Sequence, residues 1–334
     1  MTMHITRRRL LAGAGALIAA PAVIGSSRAR AAVTLTLGHG AAPGNPRTVA
    51  AAKFAELVKE KTGGAVVVNI AGSEQLGNDV AMLTSLRTGA LDITANSQGP
   101  AAGLVPDVAA LGLPFLFNDS DAAFRVVDGP VGQELGKKFD PLGIIVLSWW
   151  DNGIRHLTNS RKPVKVPDDV KGMKIRTPAD PMTIDIFRAL GAATEQIAFS
   201  ELYVALQQGV VDGQENPLAN IASSKLYEVN KYISLTAHKW ESTPFLASKI
   251  GWAKLNEAGR NAVMAAAGEA GALQRQLMNE AAAKHLADFK ANASVEVNDV
   301  DRPAFKAATT SVIDAWQKKP FGDFVKRLVS AAQS

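Results

Sequence analysis

The stretch "VTLTLGHGAAPGNPRTVAAAKFAELVKEKTGGAVVVNIAG", Val33–Gly72, decides the fold class. Val33–His39 alternates apolar and small residues with the period of a strand. A helix pattern follows: Pro46 falls in its first turn, Phe54, Leu57 and Val58 form an apolar stripe, and Gly63 closes it. "AVVVNIAG" then reads as a buried strand. Strand, helix and strand in this order predict an α/β domain with a largely parallel sheet.

The same alternation continues outward. "NDVAMLTSLRTGA" reads as a helix with Asn78 as N-cap and Gly89 as stop, "LDITANSQ" as a short strand, and "GIIVLSWW" (Gly143–Trp150) as another strand. "GMKIRTP" is a strand ending in Arg176. "DPMTIDIFRALGA" is a helix with Asp180 as N-cap, and "SELYVALQQG" is a shorter helix. An Ala-rich helical pattern from Asn256 to Asn292 is long enough to link two lobes, with Gly268 and Gly271 as possible breaks. Ligands of open α/β sheets bind beyond the carboxyl ends of the strands. Three polar segments, "GHGAAPGN", "ANSQG" and "WWDNG", read as strand exits facing one cleft. They contribute the neutral groups His39, Asn45, Asn96, Gln98 and Asn152.

The N-terminus carries an export address. "ITRRRLLAG" has the twin-arginine pattern, the apolar run Leu10–Ile24 is too short to span a bilayer, and "ARA" offers a cleavage site near Ala31. The chain has 36 Lys+Arg against 31 Asp+Glu. Removing the five arginines within residues 1–31 leaves 31 of each, so the expected mature chain is neutral and has no basic excess for nucleic acid. The 334-residue chain contains no cysteine, which excludes disulfides, thiolate catalysis, Cys-based metal sites and a lipidated N-terminal cysteine. Its length exceeds what one core commonly serves, so two domains are expected.

No catalytic pattern emerges. His39, His156, His238 and His285 lack metal-ligand spacing, and no GxSxG, GxGxxG or GxxxxGK[ST] follows a strand, so no metal or cofactor is expected. "VVDGQENP" (Val210–Pro217) holds Asp212 and Glu215, either an acid pair for an exported hydrolase or the braces of a turn. Arg176 either presents a planar fork to a ligand carboxylate or pairs at the surface with Asp180 or Asp185. Arg155 has the same ambiguity. Trp149, Trp150, Phe199 and Trp240 can stack on an organic ligand or fill the core.

Four segments carry a family resemblance: "GSEQLGNDVAMLTSLRTGALDIT", "NGIRHLTNSRKPVKVPDDVKGMKIRTP", "AFSELYVALQQGVVDGQENPLANI" and "KLYEVNKYISLTAHKW". In order and spacing they resemble the solute-binding proteins of tripartite ATP-independent periplasmic (TRAP) transporters, the DctP type. The resemblance implies a non-catalytic periplasmic protein with the two-lobed periplasmic-binding-protein fold. It would hold an organic acid between lobes linked by a long helix and deliver it to a membrane permease. The expected lobes are residues 32–152 with 242–281, and 153–241 with 282–334. By the same resemblance Arg176 clamps the ligand carboxylate, Asn216 hydrogen-bonds it, Arg155 is a second basic contact, and Asp79 and Phe199 face the cleft. Relatives that bind sialic acid carry an acidic residue in the exit matching "ANSQG"; here Asn96, Ser97 and Gln98 are neutral, which argues against an amino sugar. The neutral exits favour a hexuronate or another sugar acid. The alternative is a C4-dicarboxylate, with Arg47 or Arg155 as second cation, or another small hydroxy or keto acid.

Overall fold

The computed structural model describes residues 31–333; the twin-arginine segment lies outside the described residues. Nine strands form one sheet: β1 (Val33–His39), β2 (Val66–Ala71), β3 (Ile93–Ala95), β4 (Ile144–Asn159), β5 (Lys174–Thr177), β6 (Ala193–Gln196), β7 (Gly213–Asn216), β8 (Tyr232–Ser248) and β9 (Glu296–Asn298). The helices are α1 (Pro46–Lys61), α2 (Asp79–Thr88), α3 (Gln98–Ala102), α4 (Ser120–Val127), α5 (Pro130–Phe139), α6 (Pro181–Ala189), α7 (Phe199–Gln207), α8 (Leu218–Ser223), α9 (Lys249–Ala253), α10 (Glu257–Ala291), α11 (Arg302–Trp316) and α12 (Gly322–Gln333).

The strand order β2-β1-β3-β8-β4-β7-β5-β6 corrects the expectation of a largely parallel sheet. Each flank is parallel, as strand–helix alternation requires: β1 with β2 and β3, and β5 with β6 and β7. The centre is antiparallel, because β3 meets β8, β8 meets β4, and β4 meets β7 in that sense. The two central strands run 16 and 17 residues, longer than the usual strand, and join both flanks. "WWDNG" is therefore no strand exit. β4 continues through it to Asn159, with register shifts against β8 between Asp151 and Gly153 and between Arg155 and Leu157. Gly153 takes φ +108 at the first shift, a value that costs a non-glycine residue free energy.

Local signals place the helix starts. Asn45, Asn78 and Asp180 accept hydrogen bonds from Arg47 N, Ala81 N and Met182 N and so cap α1, α2 and α6. Leu35, Leu37, Phe54, Val58 and Val66 are buried together where α1 covers the β1–β2 flank. α10 runs unbroken for 35 residues, so Gly268 and Gly271 do not interrupt it. It packs on α1 and β4 and reaches α8 beside the opposite flank. Gln274 holds it to β4, accepting from Asp151 N and donating to Asp151 O, both at 2.7 Å. α11 lies against α6, whereas α12 lies against α4. No helix among the described residues is long and apolar enough to cross a membrane.

Gly268 and Gly271 of α10 have different surroundings. A Cβ on Gly271 would stand 2.7 Å from Ser148 Oγ and 3.2 Å from Trp150 Nε1, so glycine there lets the helix approach β4. A Cβ on Gly268 meets nothing within 4 Å. Gly268→Ala is expected to stabilise the protein by about 0.5–1 kcal/mol through helix propensity and unfolded-state entropy. Gly271→Leu is expected to destabilise it by about 1–3 kcal/mol through overpacking. Urea midpoints moving in the same direction for both would refute this account of the packing.

Candidate functional site

The carboxyl ends of the flanking strands converge on a cavity of about 460 Å³. Gly40, Ala41 and Arg47 follow β1; Glu74 and Asp79 follow β2; Arg176 is the penultimate residue of β5; Phe199 follows β6; Asn216 ends β7. Asn152 and Arg155 of β4 and Glu241 of β8 also line it, at the middle of the sheet. A volume within about 300–1,000 Å³ is usual for small-molecule sites.

Three arginines line this cavity in different electrostatic states. Arg155 is 2% exposed and fully engaged. Its Nε and Nη1 donate to Glu215 and Glu241, and its Nη2 donates to Glu215 Oε1 at 2.7 Å and Glu215 O at 2.6 Å. Burial would depress its pKa, but the two carboxylates outweigh that and hold it above the ordinary arginine value. The same contacts hold Glu215 well below the usual carboxylate range despite its burial.

Arg176 is 3% exposed and has no carboxylate partner; neither Asp180 nor Asp185 pairs with it. Its Nε donates to Ile197 O at 2.9 Å, and its guanidinium carbon lies 5.8 Å from the centroid of the Phe199 ring. Burial lowers its pKa to about 10, with Glu215 pulling the other way, so it stays cationic at neutral pH. Arg47 is likewise buried without an ion pair. It donates to Asn152 Oδ1 at 3.2 Å and Thr243 Oγ1 at 2.8 Å, and burial depresses its pKa against the pull of Asp79 and Glu241. A buried charge without an opposite charge is costly, and an entering anion relieves that cost.

In "VVDGQENP" the acids act as braces. Asp212 Oδ2 accepts from Lys174 N at 2.7 Å, and Glu215 holds Arg155 and His238. Asn216 Oδ1 accepts from Arg155 and Asn220, and its Nδ2 donates to Gln214 Oε1, so the amide is fixed at the cavity wall. Asn220 Nδ2 also reaches Asn152 Oδ1, and Asn220 Oδ1 accepts from Asn45 Nδ2 at 2.9 Å, tying α8 to the start of α1.

Of the residues singled out in the sequence, Arg155, Arg176, Asn216, Asp79 and Phe199 line the cavity. Six others lie behind its wall. Trp150 stacks on Phe245 with centroids 4.3 Å apart, and Trp240 sits edge-on to Phe117 and Phe124, so both fill the core. Gln98 Oε1 binds Ser242 N and Oγ, and Asn96 Nδ2 donates to Asp79 O, supporting the wall from outside. His39 accepts from Ala41 N, and Asn45 caps α1. Burial, with help from Arg47, lowers the His39 pKa to about 4 and keeps it neutral. Glu74, Glu241 and Asn220 line the cavity without any signal in sequence spacing, because strand crossing and loop geometry bring them there. Among the described residues no cluster of His, Cys, Asp and Glu could hold a metal ion.

Arg155→Met is expected to cost about 3–5 kcal/mol of stability, because Glu215 and Glu241 would remain buried without their cation. Arg176→Met removes a cation with no carboxylate partner and should leave the urea midpoint unchanged or higher. Equal destabilisation by the two substitutions would contradict this assignment of paired and unpaired arginines.

A family model described as bacterial extracellular solute-binding protein, family 7 (DctP), matches residues 37–319. The chain is 66% identical over 323 residues to the uncharacterized protein y4mM of Sinorhizobium fredii; the match covers 96% of this chain and 59% of that protein's length. It is 37% identical over 284 residues to the 2,3-diketo-L-gulonate-binding periplasmic protein YiaO of Escherichia coli, covering 85% of this chain and 86% of that one. Its fold matches the sugar acid binding protein DctPAm of Advenella mimigardefordensis in complex with galactonate, with TM-score 0.88 at 33% identity, covering 90% of this chain and 98% of the other. A TRAP periplasmic solute binding protein of Roseobacter denitrificans with bound β-D-glucuronate matches with TM-score 0.85 at 33% identity, covering 90% and 99%. The chain belongs to the DctP family of TRAP transporter solute-binding proteins, which bind their ligands without catalysing a reaction on them.

Proposed function

We propose that this protein captures a hydroxylated monocarboxylate, a hexuronate or similar sugar acid, in the periplasm and delivers it to a TRAP permease in the membrane. Arg176 and Asn216 hold the carboxylate, and Phe199 covers it. The observation that carries this reading is the pairing state of the cavity wall: Arg176 is buried without a carboxylate partner. Charge-assisted hydrogen bonds contribute about 1.5–3 kcal/mol each, and micromolar affinity requires about 8 kcal/mol in total.

The acids in the wall favour hydroxyl groups on the rest of the ligand. Asp79 and Glu241 line the cavity, and Asp79 Oδ1 and Glu241 Oε1 are buried without a hydrogen-bond partner. Such acceptors match ligand hydroxyl donors and repel a second ligand carboxylate. Burial also raises the Asp79 pKa, with Arg47 and Ser97 opposing. Relatives that bind galactonate and glucuronate support the same class. A C4-dicarboxylate is the second reading, favoured by Arg47 as a second buried cation without an ion pair.

The lobes in this proposal are residues 32–152 with 242–281, and 153–241 with 282–334. The register shift and positive φ at Gly153 support a hinge at the first boundary. The helix α12 reaches back onto α4 of the opposite lobe. Ligand contacts to both walls favour the closed state. Residues 1–31 direct export through the twin-arginine route.

Thermal-shift and calorimetric titration with D-glucuronate, D-galacturonate, galactonate and succinate test the ligand class. A hydroxylated monocarboxylate is expected to stabilise the protein by mass action more than succinate does. Succinate binding tighter than all three would overturn the sugar-acid reading. Arg176→Ala is expected to weaken the bound acid at least about a hundredfold, the equivalent of two charged hydrogen bonds, with the melting temperature retained. Unchanged affinity in calorimetry would exclude Arg176 as the carboxylate clamp.

A further inference from the structure

The helix α7 carries Phe199 in its first position and follows Ile197, whose carbonyl holds Arg176 Nε. Its N-cap residue, Ala198, offers no side-chain hydrogen bond, so the first turn lacks a cap of its own. The missing acceptor comes from the opposite wall of the cavity. Glu74 Oε2, on the segment between β2 and α2, accepts from Ser200 N at 2.9 Å across 126 positions of sequence. Placing it there requires two consecutive residues in the left-handed region, Ser73 at φ 54° and Glu74 at φ 58°. Residues without a glycine's freedom are strained in this region, and strain of this kind gathers at ligand clamps and switch segments. Gly40 leaves the space, since a Cβ on it would stand 3.3 Å from Glu74 Cγ and 3.4 Å from Glu74 Oε1.

We infer that Glu74 is a positioning residue that caps α7 from across the cavity, pinning the wall that carries Arg176 and Phe199 to the wall that carries Arg47 and Asp79. This rests on the reading of Arg176 as the carboxylate clamp and adds a bond that closes the cleft without touching the ligand. A carboxylate at a helix N-terminus also meets the positive end of the helix dipole, which favours the closed arrangement further. Opening the cleft breaks this bond and returns Ser200 N to water. Glu74 therefore acts on ligand release and leaves association nearly unaffected.

The chain has no cysteine, so a pair of labels can be introduced cleanly. Nitroxides at Thr84→Cys on α2 and Gln207→Cys on α7, both exposed, report the distance between the walls in protein freed of ligand. Glu74→Ala is expected to lower the closed-to-open ratio about fivefold, the usual effect of losing a helix cap. Glu74→Gln keeps a carbonyl that accepts from Ser200 N and should stay nearer the parent distribution. With D-glucuronate as probe, Glu74→Ala should speed dissociation about fivefold in stopped-flow while the association rate holds. A Glu74→Ala distance distribution identical to the parent's overturns the proposal. Because the distance measurement needs no ligand, failure of D-glucuronate to bind would count against the ligand class and leave this result standing.

Discussion

The Arg155 guanidinium cannot be buried at the middle of the sheet without opposite charge, and that constraint organises the rest of the molecule. Glu215 on β7 and Glu241 on β8 supply the charge, while Arg155 itself sits on β4. One cation thereby joins the three strands where the two flanks meet. His238 adds a hydrogen bond to Glu215 from the same strand as Glu241, and burial keeps this imidazole mostly neutral despite the nearby carboxylate. Removing Arg155 would leave Glu215 and Glu241 buried without their cation, so the two carboxylates depend on it.

Satisfying Arg155 in this way uses up Glu215, the carboxylate that would otherwise be nearest in kind to a partner for Arg176. Arg176 is left buried beside the cavity with a backbone carbonyl and an aromatic ring for company. The central acids are thus engaged in structure, while Arg176 and Arg47 line the cavity without an ion pair. The amides of Asn216, Asn220, Asn152 and Asn45 form a chain of hydrogen bonds around the same space, fixing the orientation of Asn216 before any ligand arrives. A preorganised amide and an unpaired guanidinium lose little freedom when a carboxylate binds, which is where affinity is gained.

The long central strands and α10 relate the two walls. β4 and β8 together join the two flanks, and register shifts interrupt their pairing. α10 spans both flanks and is fastened to β4 through Gln274 at the first of those shifts. Across the cavity the walls meet through hydrogen bonds, among them Ser200 N to Glu74 and Asn45 to Asn220. Continuous strands on one side and single hydrogen bonds on the other are what the proposed hinge rests on.

Periodicity and capping chemistry made most elements legible in the sequence. Asn78, Gly89 and Asp180 act locally, through bonds to residues two or three positions away, and they behave as read. The family resemblance, carried by contiguous motifs, pointed to Arg176, Asn216, Arg155, Asp79 and Phe199, all of which line the cavity. Where the reading failed, the deciding interaction was long-range. Trp150 and Trp240 have polar neighbours in sequence yet face the core, because side chains alternate across a strand and the apolar side is set by what packs on it. β4 ran past its polar segment because β8 offered a partner for its backbone, and Gly271 stays within α10 because β4 needed the close approach. Sequence alone determined which segments are helix or strand and, through the family resemblance, which arginines to look for at the cavity. Tertiary structure alone decided which arginine is paired, because pairing depends on the distance between charges on strands far apart in the chain.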